Sequence, residues 1–239
     1  MHFANGLMGK MLSLENKIVA VTGASGTMGR ALIFELLCQK AKPIALTTSA
    51  PAAFTEAVQV LPWQVGREAE LQPMLSEVDI LVINHGINVH GERTPAAIAR
   101  SLEVNSLSAL ALIDTFMATL DPDTETDKEI WVNTSEAEVG PAFSPLYEIS
   151  KRLVGDLITL KRQDAPCVIR KIILGPFKSN LNPIGVMSAD WVAKGVIALA
   201  RRDCRNIIVT INPLTFFAFP LKEIAQSLYF RLFSRSPSA

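Results

Sequence analysis

Tyr147 and Lys151 stand four residues apart in Tyr147-Glu-Ile-Ser-Lys151, a spacing that puts a phenol and an ammonium on one face of a helix. A cation held beside a phenol lowers the cost of forming phenolate. It moves a pKa of about 10 towards neutrality, which makes the tyrosine a usable proton donor or acceptor. A second group of residues points to what such a site would serve. An apolar run, Ile18 to Val21, stops at Thr22-Gly23-Ala24-Ser25-Gly26-Thr27-Met28-Gly29, and a helix-like segment, Arg30 to Lys40, follows at once. Glycines at 23, 26 and 29 let the backbone turn sharply and let a pyrophosphate approach the free amides at a helix N-terminus. Strand, glycine turn and helix together predict a nucleotide site.

The elements that must position these residues can be read from hydrophobic period. Short apolar runs at Pro43–Thr47, Val58–Trp63, Asp79–Ile83, Glu129–Thr134, Val168–Leu174 and Ile207–Thr210 read as further strands. Helical patterns fall between them at 67–75, 101–120, 145–162 and 189–201. This alternation predicts an α/β fold: a doubly wound, mostly parallel sheet of about seven strands, helices on both faces, ligands beyond the carboxyl ends of the strands. Leu107, Leu110, Ile113, Met117 and Leu120 form one core stripe, and Leu146, Ile149, Leu153, Leu157 and Leu160 another. Part of such a stripe could also meet a second subunit, so a homo-oligomer is possible.

Composition narrows the class. Of 239 residues 49% are hydrophobic and only 19% charged, which is enough apolar material for a sizeable core. No linker divides the chain, so a single domain is expected: a loose arm over 1–14, a dinucleotide-binding and catalytic core over 15–212, and an aromatic-rich tail over 213–239. The 23 basic and 23 acidic side chains cancel, which disfavours nucleic acid as a partner. Cys38, Cys167 and Cys204 lack metal or disulfide spacing and read as buried, reduced thiols, with no metal expected. With no signal-peptide pattern and no apolar run of about 18 residues, a cytoplasmic location is expected.

In their order along the chain these motifs resemble the short-chain dehydrogenases/reductases. Thr22 to Gly29 resembles that family's cofactor loop, and Asp79-Ile-Leu-Val-Ile-Asn84-His85-Gly86 its D-x-L-V-N-N-A-G strand end. Val104-Asn105 is similar to its helix asparagine, Val132-Asn133-Thr134-Ser135 to its serine strand, Tyr147 to Lys151 to Y-x-x-x-K, and Gly175-Pro176-Phe177-Lys178-Ser179 to its later P-G segment. The resemblance covers residues 17 to 210. It implies a Rossmann-type fold and an NAD(P)-dependent oxidoreductase acting on a small-molecule carbonyl or alcohol. Tyr147 would be the acid/base, and Lys151 would bind the nicotinamide ribose and depress the tyrosine pKa. Ser135 would bond the substrate oxygen, and Asn105 would hold a helix kink and a relay water. Cofactor contacts would come from Gly23, Ser25, Gly26, Thr27, Met28, Gly29, Asn84, Gly86, Tyr147, Lys151, Gly175, Pro176, Phe177 and Ser179. A further resemblance, carried by Ile87-Asn-Val-His-Gly-Glu-Arg93, is to the reductase half of proteins that fuse a sterol-desaturase-like membrane part to a short-chain dehydrogenase. It implies an apolar or lipid-like substrate.

Departures from the pattern set further expectations. Thr27 replaces the loop's usual middle glycine, and His85 replaces alanine, where it could contact cofactor or substrate or be structural. Thr134 or Glu136 could take the serine's place. Glu136 and Glu138 would raise the phenol's pKa if they pointed inward, so solvent-facing positions are expected. After the second strand stand Thr47, Thr48 and Ser49, neutral hydroxyls that accept a 2′-phosphate without repulsion, so NADP(H) is expected rather than NAD. Only nine residues separate Ser179 from Ala189, which leaves the substrate side open. In the tail, five of the eleven phenylalanines fall within 18 residues, and Leu221, Ile224, Ala225, Leu228 and Leu232 form a stripe. Such a helix could cap the core, seat a partner domain or lie at a membrane surface. The competing function is a dinucleotide-binding sensor or partner-binding module that keeps the fold without turnover.

Overall fold

The computed structural model describes residues 11–48, 54, 58–121 and 126–235. Strands and helices alternate as β1 (Ile18–Thr22), α1 (Thr27–Cys38), β2 (Lys42–Thr47), β3 (Gln59–Pro62), a 3-10 turn (Glu68–Leu71) running into α2 (Gln72–Leu75), and β4 (Ile80–Ile83). There follow α3 (Pro95–Leu102), α4 (Ser108–Met117), β5 (Glu129–Asn133), α5 (Pro145–Lys161), β6 (Val168–Leu174), α6 (Ala189–Arg201), β7 (Asn206–Val209) and α7 (Thr215–Phe233). All seven strands form one sheet in the order β3-β2-β1-β4-β5-β6-β7, and every pairing is parallel. The order reverses between β1 and β4, where an open α/β sheet leaves a crevice for ligands.

Because side chains alternate along a strand, each strand feeds two cores. Val19, Val21, Ile80, Val82 and Trp131 pack with α1 and α6 through Leu32, Leu36 and Val196. Ala20, Leu81, Ile83, Ile130 and Val132 pack on the other face with Leu112, Phe116 and Ile158 of α4 and α5. Charged side chains also enter the sheet, among them a pair from β5 and β6. Arg170, 1% exposed, grips Glu129 through bonds of 2.8 and 2.6 Å, and Trp131 Nε1 donates to the same carboxylate at 2.6 Å. That bidentate geometry compensates the desolvation of both ions.

Several expectations are corrected here. The helix expected from Ser101 begins at Pro95, because Thr94 caps it by accepting from Ala97 N at 3.1 Å and proline suits the first helical position. It is broken by a π turn at Glu103–Leu107 before α4 continues. From Pro95 to Met117 this stretch is long and apolar enough to cross a bilayer by length and composition, but its inner side is packed inside the domain. The two stripes are rotated from expectation: Ile113 and Leu146 are buried, whereas Leu107 and Ile149 are each 53% exposed, and polar Ser150 and Lys151 take the inner face of α5. Cys167 alone of the thiols is buried; Cys38 is exposed at the end of α1. Residues 1–10, Ser49 and 236–239 lie outside the described residues. At the inner end of the expected arm, Leu12 N bonds Arg201 O at 3.0 Å and Leu14 is 2% exposed.

Candidate active site at the carboxyl edge of the sheet

The glycine loop leaves β1 with Gly23 at φ +61°, where a Cβ would stand 2.8 Å from His85 Cα. A Cβ on Gly29 would overlap Gly23 O and lie 2.7 Å from Ala24 Cα, so helix and turn touch backbone to backbone. Thr27 is the first residue of α1 with its side chain outward, a position that needs no left-handed backbone. That is why the loop dispenses with a middle glycine. The helix has no side-chain cap and no acidic residue in its first turn, which leaves its N-terminal amides available to an anion. Ser25 Oγ accepts from Thr47 Oγ1 at 2.9 Å, and Arg30 Nε bonds Ser25 O at 2.9 Å, bringing a guanidinium beside that hydroxyl pair. Thr48 is exposed at the end of β2.

The end of β4 is pinned to the end of β1. Thr22 Oγ1 accepts from Asn84 N at 2.9 Å and lies 2.9 Å from His85 Nδ1, and Asn84 Oδ1 accepts from Asn133 Nδ2 at 2.9 Å. His85 stacks edge-on to Trp63 with centroids 5.0 Å apart, and its Nε2 is buried without a close hydrogen-bond partner. Burial first, then the Lys151 charge, lowers its imidazole to about 3, so it is neutral throughout the physiological range.

Asn105 lies in the π turn, 2% exposed. Its side chain accepts from Ile87 N at 2.8 Å and donates to Ile87 O and to Ser150 Oγ, each at 3.0 Å. Gly86 makes room for it: a Cβ there would stand 3.0 Å from Asn105 Oδ1. The asparagine thus joins the segment after β4 to α5, the helix that carries Tyr147 and Lys151. Lys151, 5% exposed, donates to Asn133 O at 2.9 Å and lies 5.8 Å from the centre of the Tyr147 ring. Burial lowers its ammonium to about 8, with Glu138 opposing.

Ser135 Oγ accepts from Ala137 N at 3.1 Å, and its side chain is the polar group that acts on the Tyr147 phenol. The other two candidates for the serine's place are engaged elsewhere. Thr134 Oγ1 bonds Ile172 O at 3.3 Å, while Glu136 binds Thr210, Asn212 and Thr215. The expected lowering of the tyrosine by Lys151 is not what this arrangement gives. Burial raises the phenol, and the Ser135 side chain is the influence acting the other way. Nor do Glu136 and Glu138 face solvent. Glu138 is 4% exposed and pairs with Lys222 at 2.8 Å and Lys171 at 3.7 Å, in space left by Gly155. Their charges are spent on α7 and β6 rather than on the phenol.

Beyond β6, Gly175 leaves room for Glu136 and Thr210, Pro176 O accepts from Val186 N at 3.0 Å, and Phe177 bridges to Met187. Ser179 Oγ accepts from Asn182 N at 3.1 Å in a tight turn. Leu181 of that turn and Asn88, His90, Glu92, Thr94 and Arg100 line a half-open cleft of about 370 Å³. Ser144 Oγ ties its wall to the start of α5 by donating to Asn88 Oδ1 at 2.7 Å. Sequence reasoning passed over Arg30, whose side chain turns back to Ser25 five residues earlier, and over the part that Leu181 and Arg100 play in closing a cleft around the segment from Ile87.

A parallel sheet in this order, with serine, tyrosine and lysine beyond its carboxyl edge, defines the short-chain dehydrogenase fold, and the chain has that fold. Among solved structures it is similar to a short-chain dehydrogenase from Sphingobium yanoikuyae in complex with NADPH (TM-score 0.75, 16% identity, 93% of this chain and 98% of that one). Another, from Burkholderia cenocepacia in complex with NADP, gives a TM-score of 0.74 at 17% identity over 94% of this chain and 100% of that one. In sequence the chain is 56% identical over 236 residues to a monoglucosyldiacylglycerol epimerase from Synechocystis sp., covering 96% of this chain and 58% of that protein. The chain therefore spans little more than half the length of that relative. No family model matches it.

Proposed function

We propose that the chain is an NADP(H)-dependent enzyme that oxidises a secondary hydroxyl of a glycosyldiacylglycerol headgroup and reduces the resulting ketone from the opposite face, inverting that carbon. The observation that carries the reading is the gathering of Ser135, Tyr147 and Lys151 at the carboxyl edge, with the Lys151 ammonium 5.8 Å from the Tyr147 ring, in a chain 56% identical to an epimerase of such a lipid. A dinucleotide fits the residues present: Gly23 and Gly29 let strand end, turn and helix close on one another backbone to backbone, and the first turn of α1 offers uncapped amides without an acid. Gly23, Gly26 and Gly29 would admit the pyrophosphate, with Lys151 on the nicotinamide ribose and Asn84 and Gly86 beside it. Ser25, Thr47 and Arg30 supply neutral hydroxyls and a cation for a 2′-phosphate. Bound there, NADP+ would supply the hydride acceptor for the oxidation and, once reduced, the hydride donor for the return step.

The protein's own residues handle the proton and the orientation. Ser135 holds the substrate oxygen against Tyr147. The Tyr147 phenolate accepts the hydroxyl proton as the C–H electron pair leaves, and returns it to the ketone oxygen when the hydride is restored. Lys151, as an ammonium below about pH 8, favours that phenolate once substrate and dinucleotide cover it. Asn105 fixes the π turn to Ile87 and Ser150, and so keeps α5 in register with the cleft wall. Glu92, Arg100 and Asn88 give that cleft the polar groups a sugar requires, and its open side lets the intermediate turn over between the two transfers.

The test is product analysis with the full chain, NADP+ and detergent-dispersed monoglucosyldiacylglycerol carrying deuterium at the reacting carbon. Epimer with retained deuterium is expected, and Tyr147→Phe should lower the rate by about 10²–10⁴-fold while leaving NADPH binding intact. Tight NADPH binding without turnover of this lipid or of a broad carbonyl and alcohol panel would instead assign the chain to the non-catalytic sensors.

A further inference from the structure

Helix α7 is mounted with its polar side inward. Thr215, Phe219 and Glu223, four residues apart, face the protein at 1%, 0% and 7% exposure. Glu223 bonds Lys171 Nζ at 2.6 Å and Arg162 at 2.9 Å, and the neighbouring Lys222 pairs with Glu138 and Asp156, each at 2.8 Å. On the opposite side Phe217, Leu221, Ile224, Leu228 and Leu232 recur at spacings of three and four, 76%, 72%, 60%, 54% and 76% exposed. A surface helix of a globular protein reverses this arrangement. An uncharged, leucine-rich face along a helix of 19 residues requires a cover.

The geometry points to an anionic lipid bilayer as that cover. Among the described residues from 206 onward the only carboxylate is Glu223, buried and paired, whereas Arg231 and Arg235 are exposed at the helix's outer end. Arginines flanking an apolar helical face match the headgroups and acyl boundary of an anionic membrane. A second copy of the same face brings no acid to meet them. The helix also adjoins the site: its first residue, Thr215, bonds Glu136, next to Ser135. Loops beyond the same sheet edge present Phe143 and Ile184, 96% and 88% exposed. This inference deepens the glycolipid reading and rests on it for what the membrane delivers: α7 lies in the interface and brings the cleft to a headgroup that need not leave the bilayer.

Flotation of the full chain with phosphatidylcholine vesicles, with and without phosphatidylglycerol and free of glycolipid, tests it. Binding is expected to the anionic vesicles, to weaken with salt, and to fall at least about tenfold in Leu221→Glu/Leu228→Glu. NADPH affinity should be unchanged in that variant. Equal binding of wild type and variant, or absence of binding to either vesicle, would overturn the assignment. So would a dimer that the variant dissociates while neither protein floats. Vesicle binding without epimerisation leaves docking standing and removes the glycolipid reading. Turnover of dispersed lipid without vesicle binding does the reverse.

Discussion

Glu223 fastens α7 to the sheet, and removing its carboxylate has a calculable cost. Lys171 is wholly buried, and burial lowers its ammonium against the opposing pull of Glu138 and Glu223. Three cations (Lys171, Arg162, Lys222) here face three carboxylates (Glu138, Glu223, Asp156). Glu223→Ala leaves one positive charge in excess where water cannot reach it. Breaking a buried pair from one side typically costs about 3–5 kcal/mol. Glu138 remains 3.7 Å from Lys171, which puts the expectation near the lower end, about 3 kcal/mol. For a chain of this size that corresponds to a fall of roughly 6–12 °C in Tm. Urea unfolding of wild type, Glu223→Ala, Lys171→Met and Lys171→Met/Glu223→Leu forms the assay. The double variant, which removes both charges and fills the space, should recover most of the loss. A Glu223→Ala protein within about 1 kcal/mol of wild type, or a double variant whose cost is the sum of the singles, would refute the argument.

Three other outcomes follow from the site. Gly29→Ala places a methyl against Gly23 O and Ala24, and should weaken NADPH binding at least about tenfold, whereas Thr27→Gly should leave binding nearly unchanged and cost about 0.3 kcal/mol of helix propensity, both read by fluorescence titration and thermal melts. Lys151 carries its charge below about pH 8 and loses it above, so NADPH affinity should decline as pH rises through 8, by up to about tenfold per unit; Lys151→Arg, which stays charged, should flatten that profile. His85→Ala removes the Thr22 bond and the Trp63 contact and should cost about 1–2 kcal/mol, yet leave the pH–rate profile between 5 and 8 unmoved, because an imidazole lowered to about 3 does not titrate there.

The elements were legible wherever a single period governed them. The strand ends at Thr22, Ile83 and Leu174 fall within a residue of expectation, since buried parallel strands are continuous apolar runs. The chain-order motifs located the site because each lies just after a strand. Facing was less legible. The stripe Leu221–Leu232 is plain in the sequence, but periodicity gives a face without saying which way it looks, and the contacts that turn it outward, such as Lys171–Glu223, join residues 52 apart. The inward carboxylates of Glu136 and Glu138 were unreadable for the same reason: their partners come from β6, β7 and α7. The π turn was legible only as the kink that the resemblance places at Asn105; its extra residue rotates the stripe, so Leu107 is exposed while Ile113 is buried.

The short turn after Ser135 holds two carboxylates, and both are committed to the last helix: Glu136 to Asn212 and Thr215, Glu138 to Lys222. Gly155 and Gly175 are bare where those carboxylates pass, so there is no slack for them to swing into other positions. Serine and helix are therefore one rigid piece. Whatever bears on the far side of that helix is thus joined, through two carboxylates, to the turn that carries Ser135.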